Sequence, residues 1–320
     1  MQDADPRRAR LLQRVLDDPE NDEVKRIYAD ELLEAGDPRG EWIQLELGLV
    51  EPLSIRIRDR LRARHRELRT AYFKTWFPYP FSVTTRGGFV HSARPSIDQL
   101  VAEPALLAGE PVVELELAHG DRVHELLASP LLPRIRYLVL REPVELASFH
   151  HLWHGRTLAQ LRELNIGAAR RTAAPVTGLG PGMPRLELLT LGGGELGAAI
   201  ELLHSWPHFD QLKALYLVGE LDAADLDALL AAPLPRLRRF GLIQNRLGDA
   251  IGPAIARHAG HLPALRYLEL VSTEIGLAGV AEIVAARLPV LAVFNVRSNP
   301  VSRDPVLRAR AAALATYVIV

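Results

Sequence analysis

The stretch LRRFGLIQNRLG (237–248) places apolar residues at its first, fourth and sixth positions, Leu237, Phe240 and Leu242, with Asn245 and Leu247 behind them. Side chains of a strand alternate between two faces, so this spacing reads as a short strand with one buried side. The spacing recurs seven more times from residue 112 onward. The copies read VVELEL (112–117), IRYLVL (135–140), LRELNI (161–166), LELLTL (186–191), LKALYL (212–217), LRYLEL (265–270) and LAVFNV (291–296). In chain order the eight copies start 23, 26, 25, 26, 25, 28 and 26 residues apart. A period of this length marks an array of small units that stack to bury what none can bury alone.

Between the copies the period changes. In DAADLDALLAAPLP (222–235), Leu226, Leu229 and Leu230 stand three and four apart, and in GLAGVAEIVAARLP (276–289) so do Val280, Ile283 and Val284. That is helical spacing for one buried face. Pro233, Pro235, Pro263 and Pro289 end these segments and lead into the next strand. Each unit is expected to run strand, turn, helix, turn.

The array resembles leucine-rich repeats. LRRFGLIQNRLG fits the L-x-x-L-x-L-x-x-N-x-L-G pattern throughout, with Asn245 in the turn position. LAVFNVRSNPV places Asn299 there and LRYLELVSTEIG places Thr273, whereas LELLTLGGGELG has Gly194 and the early copies lack the Asn. The resemblance covers roughly two thirds of the chain. It implies an α/β fold, a leucine-rich-repeat solenoid (horseshoe) with a parallel concave sheet, and an Asn side chain that satisfies backbone groups where the chain leaves the strand. The repeats are expected over 112–303, about eight in number, followed by a C-terminal helix or tail over 304–320.

Residues 1–50 read as a small helical module. PRRARLLQRVLDDP carries a stripe of Leu11, Leu12, Val15 and Leu16, and DEVKRIYADELLEAG carries Val24, Ile27, Tyr28, Leu32 and Leu33. Gly36 is placed to end that helix, Asp37 to cap the next and Pro38 to begin it. IYADELLEAGDPRGEWI resembles the bacterial repeat-companion domain found beside leucine-rich repeats, with the pattern Y-A-D-W-L-E-E-x-G-D-P-R-G-E-F-I. Tyr28, Ala29, Asp30, Leu32, Glu34, Gly36, Asp37, Pro38, Arg39, Gly40, Glu41 and Ile43 match, while Glu31 replaces the Trp and Trp42 the Phe. The resemblance implies architectural company and carries no chemistry. Residues 51–111 hold a linker helix over 53–76 and a β-hairpin around Gly87 and Gly88. The hairpin is expected to cap the first strand of the array.

Composition narrows the functions. The chain has 320 residues, 48% of them hydrophobic, which suffices for a core, and a formal charge of −1, which gives no field toward nucleic acid or anionic membrane. With no cysteine, disulfides and thiolate chemistry are excluded. The charged N-terminus has no apolar signal segment and no long apolar run follows, so a cytoplasmic location and no membrane contact are expected. No nucleotide fingerprint, nucleophile elbow or metal-protease spacing is present, and LGGGELG (191–197) lacks the G-K-[ST] ending of a phosphate loop. No cofactor is expected.

Three groups of residues are candidate sites. His150, His151 and His154 in FHHLWHG stand at helical spacing for a shared metal ion, but without a carboxylate beside them they read first as a solvated face. Arg56, Arg58, Arg60, Arg62, Arg64, Arg66 and Arg69 on the linker helix suit phosphate, yet acids of residues 1–51 offset them and arginine is the preferred base everywhere. The third group is the outward face of the strands. Tyr137, Leu188, Tyr216, Val218, Arg239, Ile243, Tyr267, Glu269, Val271, Val293 and Arg297 fall there. A sheet face that met only water would be more polar, and a contiguous apolar patch with tyrosines marks an interaction site. The sequence therefore points to a non-catalytic scaffold that binds another protein or peptide through the concave face, with the chain's own apolar tail TYVIV (316–320) or a second copy of the chain as the alternative occupants. A metal-dependent enzyme using the histidines and a nucleic-acid adaptor using the arginine helix are the competing readings.

Overall fold

The computed structural model describes residues 5–118, 122–145, 153–155, 158–170, 179–193, 196–303 and 317–319. The fold is mixed α/β, and its strands pair in parallel except at one hairpin. The chain divides into two compact units, Met1–Leu117 with Ala128–Ile135, and Ala118–Leu127 with Arg136–Val320.

The first unit begins with helices α1 (Pro6–Asp17), α2 (Asp22–Glu34), α3 (Pro38–Leu49) and α4 (Ile55–Trp76). Gly36 takes φ +72°, so its N–H reaches Leu33 O (2.9 Å) and that of Asp37 reaches Leu32 O (2.8 Å). These two bonds close α2 on otherwise orphaned carbonyls. Asp37 then accepts from Arg39 N at 2.9 Å and Pro38 opens α3, as the sequence predicts. Gly40 is the crossing point of α2 and α3, since an added Cβ would stand 2.8 Å from Leu33 Cγ. Leu11, Val15, Val24, Tyr28, Ala29, Leu32, Ile43 and Leu47 close the core with Phe89 of the hairpin.

The helical stripes are narrower than the sequence suggests. Ile27 and Leu33 are each 39% exposed, as is Tyr72, and Ile57 is 51% exposed. The buried face of α2 is the Val24, Tyr28, Leu32 line, and residues a quarter-turn away face water. α4 is held mainly through Leu61, Leu68, Phe73 and Trp76, which surround Trp42. Trp42 is buried and stacks on His65 with ring centroids 4.1 Å apart. Glu31, in the place of the pattern's Trp, instead pairs with Arg7 at 3.0 Å.

Strands β1 (Ser82–Arg86) and β2 (Phe89–Arg94) form the hairpin, followed by α5 (Ile97–Ala102) and β3 (Glu114–Leu117). Gly87 and Gly88 turn the hairpin at φ +60° and +81°. Gly88 has a second reason to be bare, because a Cβ there would stand 2.7 Å from Ile43 Cα. Glu46 of α3 accepts from Gly88 N (2.9 Å) and Thr85 Oγ1 (2.6 Å), fixing the turn to the helices. β2 pairs in parallel with β3, Ser92 opposite Glu114 and Ala93 opposite Leu115, so the hairpin covers one edge of β3.

The second unit holds β4 (Tyr137–Glu145), β5 (Glu163–Arg170), β6 (Leu188–Gly193), β7 (Ala214–Gly219), β8 (Arg239–Ile243), β9 (Tyr267–Val271), β10 (Val293–Asn295) and β11 (Tyr317–Ile319). Every neighbouring pair from β4 to β11 runs parallel and in chain order. Each of the eight sequence copies carries one strand, β3 to β10, which begins at the copy's third residue. Helices α6 (Leu196–His204), α7 (Ala223–Ala231), α8 (Ile251–Arg257) and α9 (Leu277–Ala285) supply the crossovers that parallel strands need. Leu189, Leu191, Leu215, Leu217, Phe240, Leu242, Leu268, Leu270 and Phe294 are buried on one side of the strands. Leu226, Leu229, Leu230, Val280 and Ile283 are buried on the helices.

The turns after the strands repeat as closely as the strands do. Gln244, Ser272 and Ser298 occupy one position of the repeat and take φ +58°, +54° and +59°, while Gly193 and Gly219 fill it earlier at +133° and +118°. The next residue closes the turn. Asn245 Nδ2 donates to Leu217 O (3.0 Å) and Ile243 O (3.1 Å), and Asn299 Nδ2 to Leu270 O (2.5 Å), Val296 O (2.9 Å) and Arg297 O (3.0 Å). Asn299 Oδ1 accepts from Thr273 N at 2.8 Å, linking two turns. Of the segment expected as a helix or tail over 304–320, Tyr317–Ile319 adds β11 to β10 with Val293 opposite Tyr317, and 304–316 lie outside the described residues.

Candidate functional site

The outward positions of β4 to β11 fall into rows set by the strand register. One row runs Tyr137, Glu163, Leu188, Ala214, Arg239, Tyr267, Val293, Tyr317. The next runs Val139, Asn165, Thr190, Tyr216, Gly241, Glu269, Asn295, Ile319. A third sets Gly192, Val218, Ile243 and Val271 side by side. Tyr137, Leu188, Tyr216, Val218, Ile243, Tyr267, Glu269, Val271 and Val293 are half-buried, and Arg239 and Arg297 are exposed. Ten of the eleven residues expected on this face therefore stand in its rows, and Arg297 lies two residues beyond the end of β10. Ala214 and Asn295 share the face but are buried, and Asn295 Oδ1 accepts from Arg297 N at 3.1 Å.

The middle of the face is a set of mutual contacts. Tyr216 of β7 reaches across β8 and donates its hydroxyl to Glu269 Oε1 of β9 at 3.2 Å. It can do so because the intervening residue is Gly241, where any Cβ would overlap the tyrosine ring. Burial, the Glu269 charge and the bond to that carboxylate push the Tyr216 hydroxyl above the ordinary tyrosine range, with Arg239 opposing them. Arg239 lies over Tyr267, its guanidinium carbon 5.0 Å from the ring centre, a contact that holds an exposed cation in a fixed direction. The arrangement offers an aromatic and aliphatic floor, one oriented guanidinium and one carboxylate.

The sequence reading did not anticipate Gly241 as the seat of Tyr216, nor β11 as an extension of the face. A glycine at an outward strand position was the available signal for the first, since glycine within a strand marks close approach by another group. Replacing Gly241 by Ala should lift the Tyr216 ring and break its bond to Glu269, at about 1 kcal/mol. Spectrophotometric titration should then show one tyrosine fewer above the ordinary range; an unchanged titration would show that the ring does not depend on Gly241.

The two competing sites are organised differently. His150 and His151 lie outside the described residues, and His154 is exposed and helical. Among the described residues no three His, Asp or Glu side chains are grouped to hold a metal ion. On α4, Arg64 is taken by both oxygens of Glu41 (2.7 and 2.8 Å) and by Glu67 (3.0 Å), Arg58 by Leu53 O (3.4 Å), and Arg69 lies over Phe73. The bond from Arg64 holds the Glu41 carboxyl below its usual range. Arg56, Arg60, Arg62 and Arg66 remain exposed. Among the described residues no helix is long and apolar enough to cross a membrane. No protein-family model matches the chain, and no match to a curated protein was found.

Proposed function

We propose that the chain is a leucine-rich-repeat solenoid with an N-terminal repeat-companion module, acting in the bacterial cytoplasm as a non-catalytic scaffold. Its outward, concave strand face docks another protein or a peptide. The observation that carries this reading is the three-row face itself. Tyr216, Tyr267, Val218, Ile243, Val271 and Val293 sit together half-buried, with Arg239, Glu269 and Arg297 among them. Half-buried aromatic and aliphatic side chains beside oriented charges are the makings of a binding centre with a polar rim. The left-handed residue followed by Asn245, Thr273 and Asn299, and the one-strand-per-copy register, support the repeat assignment.

A photo-crosslinking residue in place of Val293 or Val271 should capture a protein from native-cell extract, and one in place of the exposed Ala228 on α7 should not. Tyr267→Ala should weaken that capture by about 2 kcal/mol or more, with thermal melting unchanged because the ring is already partly in water. Adducts formed equally from Ala228, or only with a second copy of the chain, would refute docking of a partner on this face.

A further inference from the structure

Each strand from β5 to β9 is preceded by a four-residue lead-in, at 159–162, 184–187, 210–213, 235–238 and 263–266. These segments carry six cations, Arg162, Arg185, Lys213, Arg236, Arg238 and Arg266, against two carboxylates, Glu187 and Asp210, and all six cations are exposed. Their stacking is fixed by the backbone. Arg162 O accepts from Glu187 N (2.8 Å), Glu187 O from Lys213 N (2.8 Å), Lys213 O from Arg238 N (2.8 Å) and Arg238 O from Arg266 N (2.9 Å). The residues at 162, 187, 213, 238 and 266 thus form a column with one member every strand spacing, about 4.8 Å.

Within the column Glu187 is taken by Lys213 at 2.8 Å, and in the same lead-in Arg185 is held by Gln160 at 2.5 Å. No carboxylate among the described residues pairs with Arg162, Arg236, Arg238 or Arg266. Like charges stacked this closely oppose folding slightly. Helix dipoles do not account for them, because these residues belong to strand lead-ins and the dipole acts within the last helical turn. Arg162, Arg185, Lys213 and Arg236 also surround a concavity of about 330 Å³ with Glu187 and Gln211. The residue after Arg238 is Arg239, the face guanidinium that lies over Tyr267.

We propose that these lead-ins bind an acidic peptide segment of the partner, whose Asp and Glu side chains pair with Arg162, Arg236, Arg238 and Arg266 as the adjoining chain enters the face. Guanidinium groups take carboxylates in two-point pairs, and among the described residues these four have no carboxylate partner. An acidic peptide is favoured over nucleic acid because the lead-ins hold no aromatic ring for bases to stack on, and a chain of net charge −1 has no wider field for a long polyanion. The assignment rests on the reading of the outward face as the docking surface.

A fluorescein-labelled dodecamer of glutamate, titrated into the full chain and read by anisotropy, tests it. Binding should weaken with salt and fall at least tenfold in the Arg236→Glu/Arg238→Glu/Arg266→Glu variant. The corresponding Gln variant should lose an intermediate amount while melting like the wild type. Arg60→Glu/Arg62→Glu on α4 should stay within twofold of the wild type. The proposal is overturned if the rim variants bind as the wild type does, if the α4 variant is the one that loses binding, or if labelled single-stranded DNA or RNA dodecamers bind the rim more tightly than the peptide. Because the probe lacks the segment that would occupy the face, rim-dependent binding with failed face crosslinks would remove the docking reading and leave the rim assignment standing. The reverse pattern would do the opposite.

Discussion

Glu110→Ala should destabilise the N-terminal unit by about 3–5 kcal/mol, the cost of removing one partner from a buried ion pair. Glu110 is 4% exposed; its Oε1 takes Arg39 at 2.8 Å and its Oε2 takes Val90 N at 2.8 Å. Arg39 lies between Phe77 and Phe89, 5.1 and 5.2 Å from their ring centres. The substitution leaves a guanidinium and an N–H in a largely apolar site with nothing to receive them. Glu110→Gln keeps both acceptor shape and the Val90 bond and should cost less. Arg39→Met/Glu110→Leu, which removes both charges, should recover much of the single loss. Urea unfolding followed by the fluorescence of Trp42 and Trp76 measures all three; a loss below about 1 kcal/mol in Glu110→Ala would show that the pair does not hold the hairpin.

The same carboxyl sets a pH dependence. Burial raises its pKa above the ordinary 4.5, with Arg39 and the Val90 N–H pulling the other way. The folded state therefore holds this proton more tightly than the unfolded chain. The resulting stability is fully present below 4.5 and is lost as pH rises through the elevated folded value. Wild-type stability should carry this downward slope, and Glu110→Gln should lack it.

Asn299→Ala should cost the second unit about 3 kcal/mol or more. A single side chain serves Leu270 O, Val296 O, Arg297 O and Thr273 N, and it is 4% exposed. Its removal leaves these groups to whatever water can enter, at about 1–3 kcal/mol for each that stays dry. Asn245→Ala should cost less, because Asn245 serves two carbonyls and its Oδ1 has no hydrogen-bond partner. Thr273→Val should cost least, since it gives up one bond of 3.2 Å and keeps the backbone bond. Thermal melting that ranks the three in another order would show that these turns are held by packing alone.

The strands were legible because a strand's two faces impose a period of two, and each copy wrote that period with Leu, Ile, Val or Phe in the same places. The helices between them were legible for the same reason at a period near 3.6, as Leu226, Leu229 and Leu230 illustrate. Local chemistry also spoke for itself at Gly36, Asp37 and Pro38, where one residue ends a helix and the next two start another. The outward face followed from the alternation alone, so ten residues of its rows could be named before any coordinates.

What those residues do to one another could not be. Tyr216, Gly241 and Glu269 come from three strands, and only the parallel register places the glycine between the hydroxyl and its acceptor. Arg39 and Glu110 lie 71 positions apart, so no local pattern announces that they meet under the hairpin. Arg162, Lys213, Arg238 and Arg266 before β5, β7, β8 and β9 read as scattered surface cations until backbone bonds stack them with Glu187 into a column. Sequence determined the faces, because periodicity is a property of neighbours along the chain; tertiary structure decided the partners, because a contact across strands depends on register, and one residue of slip would turn every one of these side chains to the other face.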